Sequence, residues 1–303
     1  TKESVIRNQL ELDEGDPFNE ILFTRSINNL KSLNFFKDVK TEIIDNNDEE
    51  TKTLIINVEE KPTGEIMAGA GFGTSGTSTT FGVKENNYLG NGLKLDAKLN
   101  LSEESVKGKL SIQNPNFNNS DKSIYVNVQS SETDKLTDSG YKTSKTGFTL
   151  GTNFEYYDDF FLGTSINSYY ESIETDSTAS SQQKKLKGNY FDNFLSLNFD
   201  LDKRNQKFQT TQGFRNYFAT DFPIISETNT LSNTLILTNY FEYFENHVLK
   251  SSFYFKNSNS ISDKNIKLSE RLYLPSNRLR GFESGKVGPK DGNDFIGGNY
   301  ITS

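Results

Sequence analysis

The stretch "LKLDAKLNL", residues 93–101, sets Leu93, Leu95, Ala97, Leu99 and Leu101 on one side of an extended chain and Lys94, Asp96, Lys98 and Asn100 on the other. A period of two belongs to a strand with one apolar and one polar face. "LSLNFDLD", residues 195–202, repeats it: Leu195, Leu197, Phe199 and Leu201 oppose Ser196, Asn198, Asp200 and Asp202. Similar runs occupy 66–73, 106–113, 124–129, 148–156, 161–170, 214–222, 231–243 and 248–256. From residue 64 onward this alternation replaces helical periodicity, and about ten or eleven strands are expected.

Two folds share that pattern. A soluble β-sandwich alternates core with solvent; a membrane-spanning barrel alternates lipid with a wet lumen. The connections favour the barrel. Those at 86–91, 155–159 and 244–247 are short, whereas 131–140, 172–187 and 260–298 hold long polar stretches. Short periplasmic turns and long external loops give that asymmetry. Aromatic residues gather near strand ends in "EYYDDFF", "NYFDNF", "NYFEYF" and "RNYF", where membrane interfaces favour them. A barrel also accounts for the mean hydropathy of −0.67, since only half of each strand must be apolar.

Composition excludes several functions. The 303 residues carry a net charge of −8, which argues against nucleic-acid binding, because phosphate contacts need a basic face. Aromatic content of 13% argues against disorder. No apolar run approaches the ~18 residues of a spanning helix. Cysteine is absent and His247, in the turn-like "FENHV", is the single histidine. A Ser–His–Asp arrangement would have to be built on His247, which reads as a turn residue, and no His/Cys metal cluster can be assembled without cysteine or a second histidine, so no enzyme, cofactor or metal is expected. The acidic "SIETDSTASS" reads as a solvated loop rather than a calcium site. Thr1 in place of an initiator Met reads as a processed or trimmed end.

The first sixty residues differ. "SVIRNQL" reads as a short helix, and Asp16 with Pro17 as the N-cap and first position of a second. Phe23, Ile27 and Leu30 then share one helical face. Val39, Thr41 and Ile43, and Leu54, Ile56 and Val58, mark two strands joined by the polar turn 45–52. Pro62 ends the unit.

The order helix, helix, strand, strand, with "SVIRNQLELDEGDPFN", "LKSLNFFKDV" and "VEEKPTGE", resembles a POTRA domain lacking its first strand. In the strand-rich part, "NNYLGNG" (86–92), "NPNF" (114–117), "DKRNQKFQTTQGF" (202–214) and "RLRGFESGKVGPKDGNDFIGGN" (278–299) resemble the BamA family of outer-membrane assembly proteins. The turn 206–212 departs in lacking a proline the family often carries there.

The resemblance implies a membrane-proximal POTRA-like unit at 1–62, in the periplasm, and an outer-membrane β-barrel over 64–303. That barrel would hold about 11 of the family's 16 strands, ending after the sixth external loop, 260–298. An unclosed barrel leaves unpaired backbone groups in hydrocarbon, so this segment alone is expected not to form a stable barrel. The loop-tip motif Leu279, Arg280, Gly281 and Phe282 is implied to fold into the barrel, Arg280 meeting acidic groups of the wall on later strands. Glycines at 281, 285, 288, 292, 297 and 298 would allow its reversals. Asp202, Arg204 and Gly213 would anchor the fourth inner turn.

The first barrel strand, "GEIMAGAGFGTS", sets Ile66, Ala68, Ala70 and Phe72 against Gly69, Gly71, Gly73 and Met67. Glycine packs nothing, so this strand would make a weak seam able to open toward a client strand. The implied function is insertion of β-barrel proteins without ATP. Implied partners are unfolded outer-membrane clients, periplasmic accessory lipoproteins and membrane lipid. A TamA-like or two-partner-secretion transporter is the nearest alternative; a porin or an outer-membrane hydrolase fits less well.

Overall fold

In the computed structural model, residues 1–46, 51–73, 76–206, 209–244, 247–274, 278–279, 281–282, 285–292 and 294–303 are described. Helices α1 (Glu3–Arg7) and α2 (Glu20–Ser32) precede strands β1 (Phe36–Asn46) and β2 (Thr51–Glu60). The two strands pair as the expected hairpin, with Val39 opposite Val58, Thr41 opposite Ile56 and Ile43 opposite Leu54. The middle of the turn 45–52 lies outside the described residues. Helix α2 lays Phe23, Ile27 and Leu30 on the hairpin, and with Phe35 and Phe36 they form the buried core of this unit.

The start of α2 differs from the sequence reading. Its N-cap is Asn19, whose side chain accepts hydrogen bonds from the Ile21 and Leu22 amides at 2.9 and 3.2 Å. Asp16 instead accepts from the Asp13 amide at 3.0 Å and closes a separate turn. Both residue types cap helices well, and the local sequence offered two candidates three positions apart.

Twelve antiparallel strands follow: β3 (Gly64–Gly73), β4 (Gly76–Tyr88), β5 (Leu93–Ser102), β6 (Ser105–Asn114), β7 (Lys122–Lys135), β8 (Tyr141–Tyr157), β9 (Phe160–Thr175), β10 (Gly188–Asp202), β11 (Gly213–Ile225), β12 (Thr230–Phe244), β13 (His247–Ser260) and β16 (Tyr300–Thr302). Each pairs with its neighbour in chain order, and β16 joins β13 through three residue pairs. The short hairpin β14 (Lys290–Asp291) and β15 (Asp294–Phe295) lies in the connection between them. Short helices α3 (Leu136–Ser139) and α4 (Ser181–Lys185) interrupt two other connections. Among the described residues, β3 pairs only with β4 and β16 only with β13, so the sheet is an incomplete barrel.

The two faces separate as the alternation requires. Ile66, Phe81, Val83, Leu99, Leu110, Val128, Phe148, Leu150, Ile166, Phe199, Phe218 and Phe253 are large, apolar and exposed on one face. An apolar band that no protein covers is the lipid-facing surface of a barrel. At the inner strand ends Tyr88, Tyr156, Tyr157, Phe241, Tyr243 and Phe244 are exposed and form an aromatic girdle. The opposite face is polar. Across β8 to β11, Thr149 donates to Asn167 at 2.6 Å, Asn167 donates to Ser196 at 2.7 Å, and Ser196 donates to Asp221. No described helix is long and apolar enough to cross a membrane.

Two details depart from expectation. Strand β4 was absent from the alternating runs, because only Phe81 and Val83 break a stretch of Thr, Ser, Gly and charge. The external stretch at 131–140 shrinks to 136–140, since β7 and β8 stay paired through Lys135 and Tyr141. Strands that extend past the lipid carry polar residues on both faces, and a sequence pattern reads those as loop.

Candidate functional site: the lumen, its inner turns and its long loop

The lumen face is shaped by glycine opposite bulk. Tyr125 on β7 faces Gly151 on β8, and Tyr169 on β9 faces Gly147 on β8. A Cβ on Gly147 would lie 2.3 Å from the Tyr169 ring, and one on Gly151 would lie 2.4 Å from the Tyr125 ring. The rings therefore lie flat over bare backbone. Lys145 caps the Tyr169 ring at 4.4 Å.

The fourth inner turn, between β10 and β11, is built on a fork. Arg204 Nε donates to Asp202 Oδ1 at 2.7 Å and Nη2 to Oδ2 at 2.6 Å. Both side chains are largely buried, at 14% and 9% exposure. Arg215 makes a second bidentate pair with Asp200, its Nη2 2.6 Å from Oδ2. Lys203 N donates to Phe214 O at 2.9 Å, and the Asn205 side chain accepts from the amides of Gln206, Thr211 and Gln212. Asp202, Arg204 and Gly213 are thus brought together. Asp202→Asn keeps the shape and removes the charge, so a loss of about 1–2 kcal/mol is expected, measured by guanidinium unfolding in detergent.

The first inner turn carries "NNYLGNG". Asn87 Oδ1 accepts from the Gly92 amide at 2.8 Å, and Asn87 Nδ2 donates to Thr1 Oγ1 at 2.8 Å. Lys2 N donates to Gly90 O at 2.8 Å. The motif therefore docks the α/β unit beside the barrel, with a cleft of about 770 Å³ between Asn8, Asn29 and Asn91, Asn116 and Asn119.

The long connection 261–299 enters the lumen. Ser269, Glu270, Arg271, Leu272 and Tyr273 share a cavity of about 640 Å³ with Gln129, Asn167, Ser196, Asp221, Ser232 and Tyr254 from six strands of the wall. Leu272 and Gly298 exchange backbone hydrogen bonds at 2.8 and 2.9 Å and close the loop on itself. The Arg278 guanidinium stacks on the Tyr254 ring at 4.0 Å.

Sequence reasoning missed the most buried contact of this loop. Lys267 is fully buried, as are Glu171 on β9 and Asp192 on β10. Its ammonium pairs with Asp192, and lies 3.6 Å from Glu171 and 3.5 Å from Glu270. Tyr190 offers its ring face at 4.9 Å. Ser269 donates to Glu171 at 2.8 Å and Thr230 to Glu270 at 2.7 Å. Burial pulls the Lys267 ammonium down, but Glu270, Asp192 and Glu171 together raise it further, leaving it above its ordinary value. The signal was present: Ile266 and Leu268 flank Lys267 in an otherwise polar loop, and both are buried.

The residues singled out from sequence fall as follows. Arg280 lies outside the described residues. Leu279 is half-buried, Phe282 is exposed, and a Cβ on Gly281 would meet nothing within 4 Å. Ile66 is 86% exposed on the lipid face of β3, and Gly69, Gly71 and Gly73 occupy the other face. His247 opens β13, its ring edge-on to Phe244 at 6.3 Å.

Fold and lumen define an outer-membrane barrel preceded by a periplasmic POTRA unit. Known proteins agree. The Omp85 superfamily domain matches residues 87–303, and a POTRA family described as a surface antigen variable number repeat matches residues 1–61. The outer membrane protein assembly factor BamA of Nitratidesulfovibrio vulgaris is 23% identical over 99% of this chain and 39% of its own length. BamA of Neorickettsia risticii is 24% identical over 99% of this chain and 41% of its own length. The chain therefore spans about two fifths of the curated relatives it matches. The crystal structure of Haemophilus ducreyi BamA lacking POTRA domains 1–3 superimposes with a TM-score of 0.83 at 19% identity, covering 100% of this chain and 63% of that one. CdiB of Escherichia coli fits less closely, with a TM-score of 0.57 at 13% identity over 92% of this chain and 55% of that one. The chain belongs to the Omp85 superfamily.

Proposed function

We propose that this chain works in the folding and insertion of β-barrel proteins into the outer membrane. Residues 1–62 act as the membrane-proximal periplasmic POTRA unit and 64–303 as barrel. Its similarity to BamA assembly factors supports the reading, and the composition of β3 carries it. Gly69, Gly71 and Gly73 alternate along this strand, and a Cβ on Gly69 would meet nothing within 4 Å. The inward face of β3 thus leans on little besides its ladder to β4. A strand that packs so few side chains parts from a neighbour at low cost. Its edge then offers a row of amides and carbonyls to an incoming client strand, which pairs by β-augmentation. The free energy comes from the client folding into lipid, so no nucleotide is consumed and no catalytic step is involved. Clients, accessory lipoproteins on the periplasmic side and lipid are the partners. A loop tip, Leu279 to Phe282, that folds into the lumen and pins the loop against acidic groups of the wall is part of this proposal.

The test is a disulfide between β3 and the last strand in the full-length protein. These 303 residues hold no cysteine, and any cysteine elsewhere in the full-length protein is first replaced by serine so that the engineered pair is unambiguous. Oxidised protein is expected to lose client insertion and to regain it on reduction. Equal insertion in both states overturns the seam.

A further inference from the structure

We propose that Lys267 is a positioning residue that latches the root of the long external loop into the lumen, through the carboxylates of β9 and β10 and independently of the loop tip. The loop root meets the wall through a small set of buried side chains. Lys267 contributes 0% exposed surface, and its partners Glu171 and Asp192 sit on adjacent strands, where Tyr190 pairs with Glu171 across the ladder. Glu270, three residues on, holds Oε1 3.5 Å from the same ammonium and accepts from Thr230 of β12 at 2.7 Å through Oε2. The segment 267–270 therefore ties three strands to one loop.

Charge explains why the contact is a latch rather than a passive packing contact. Three carboxylates meet one ammonium, and Glu171 Oε1 and Asp192 Oδ1 are buried without a hydrogen-bond partner. Withdrawing Lys267 would leave adjacent buried carboxylates facing each other, a state far costlier than the paired one. The loop root is held by what its departure would expose. Ile266 and Leu268 are 3% and 8% exposed, so the flanking residues leave with it.

The experiment reads loop position, not client insertion, so its outcome is separate from the assembly function. Leu272→Cys in the full-length protein, in native outer membranes, reports on the loop root through the rate of reaction with a membrane-impermeant maleimide. Lys267→Met is expected to speed labelling at least tenfold while the folded barrel keeps its heat-modifiable gel mobility. Lys267→Arg is expected to restore slow labelling. Should Lys267→Met fail to fold, Lys267→Met combined with Glu171→Gln and Asp192→Asn removes the stranded charges and is expected to fold yet still label fast. A parental labelling rate in whichever of these two variants folds overturns the proposal, as does fast labelling in the Lys267→Arg protein.

Discussion

Leu30→Ala is expected to unfold the POTRA unit while leaving the barrel intact. Leu30 is 0% exposed at the centre of a core with only Phe23, Ile27, Phe35 and Phe36 as its other buried members. Truncating a buried leucine costs about 2–5 kcal/mol, and the upper half applies where no neighbour can collapse into the void. Here the void opens between α2 and a two-stranded hairpin, whose backbone is fixed by its own ladder. A unit of this size holds only a few kcal/mol in reserve, so a loss of about 4 kcal/mol removes most of it. Hydrogen exchange in the intact chain is expected to show loss of protection over 20–60 only. Ile21, two turns earlier and 67% exposed, is the control: Ile21→Ala is expected to cost less than about 0.5 kcal/mol.

Gly213→Ala is expected to dismantle the fourth inner turn, at a cost of about 3 kcal/mol. Gly213 has φ +100°, and a Cβ there would sit 2.2 Å from the Lys203 carbonyl oxygen and 2.9 Å from the Arg204 Cα. Both obstacles are backbone, so no side chain can swing aside. Relief requires moving the segment that carries Arg204, which withdraws the fork from Asp202. Because Gly213 and Arg204 share this geometry, Gly213→Ala combined with Arg204→Met should cost clearly less than the sum of the two single changes. Guanidinium unfolding in detergent measures all three. Additive losses would show that the turn and the fork are energetically separate.

The strand alternation was readable because each face meets a different solvent, and hydropathy reports that directly. Strand β4 was unreadable because Thr77 and Thr79 share its lipid face with Phe81 and Val83, so its two faces differ little in polarity. The two strands of the POTRA hairpin could be read from the alternation at Val39, Thr41 and Ile43 and at Leu54, Ile56 and Val58, whereas the helix start could not, since Asp16 and Asn19 are equivalent caps until the chain path is known. Turn residues Asp202, Arg204 and Gly213 were recognisable only through the resemblance of "DKRNQKFQTTQGF" to the family's motif. The wall partners of Lys267 were not, because they lie 75 and 96 positions away, although Ile266 and Leu268 marked its segment as one that could be buried.

Tyrosine rings lying over Gly147 and Gly151 do more than fill the lumen. They index the strands. Tyr125 fits only opposite Gly151, and Tyr169 only opposite Gly147. Sliding β8 by two residues against β7 would keep every face correct, so hydropathy could not object, yet it would drive Tyr125 into the side chain at Asn153 or Thr149. Strands β7, β8 and β9 are thereby keyed like a lock cylinder, with glycines as the cuts and rings as the pins.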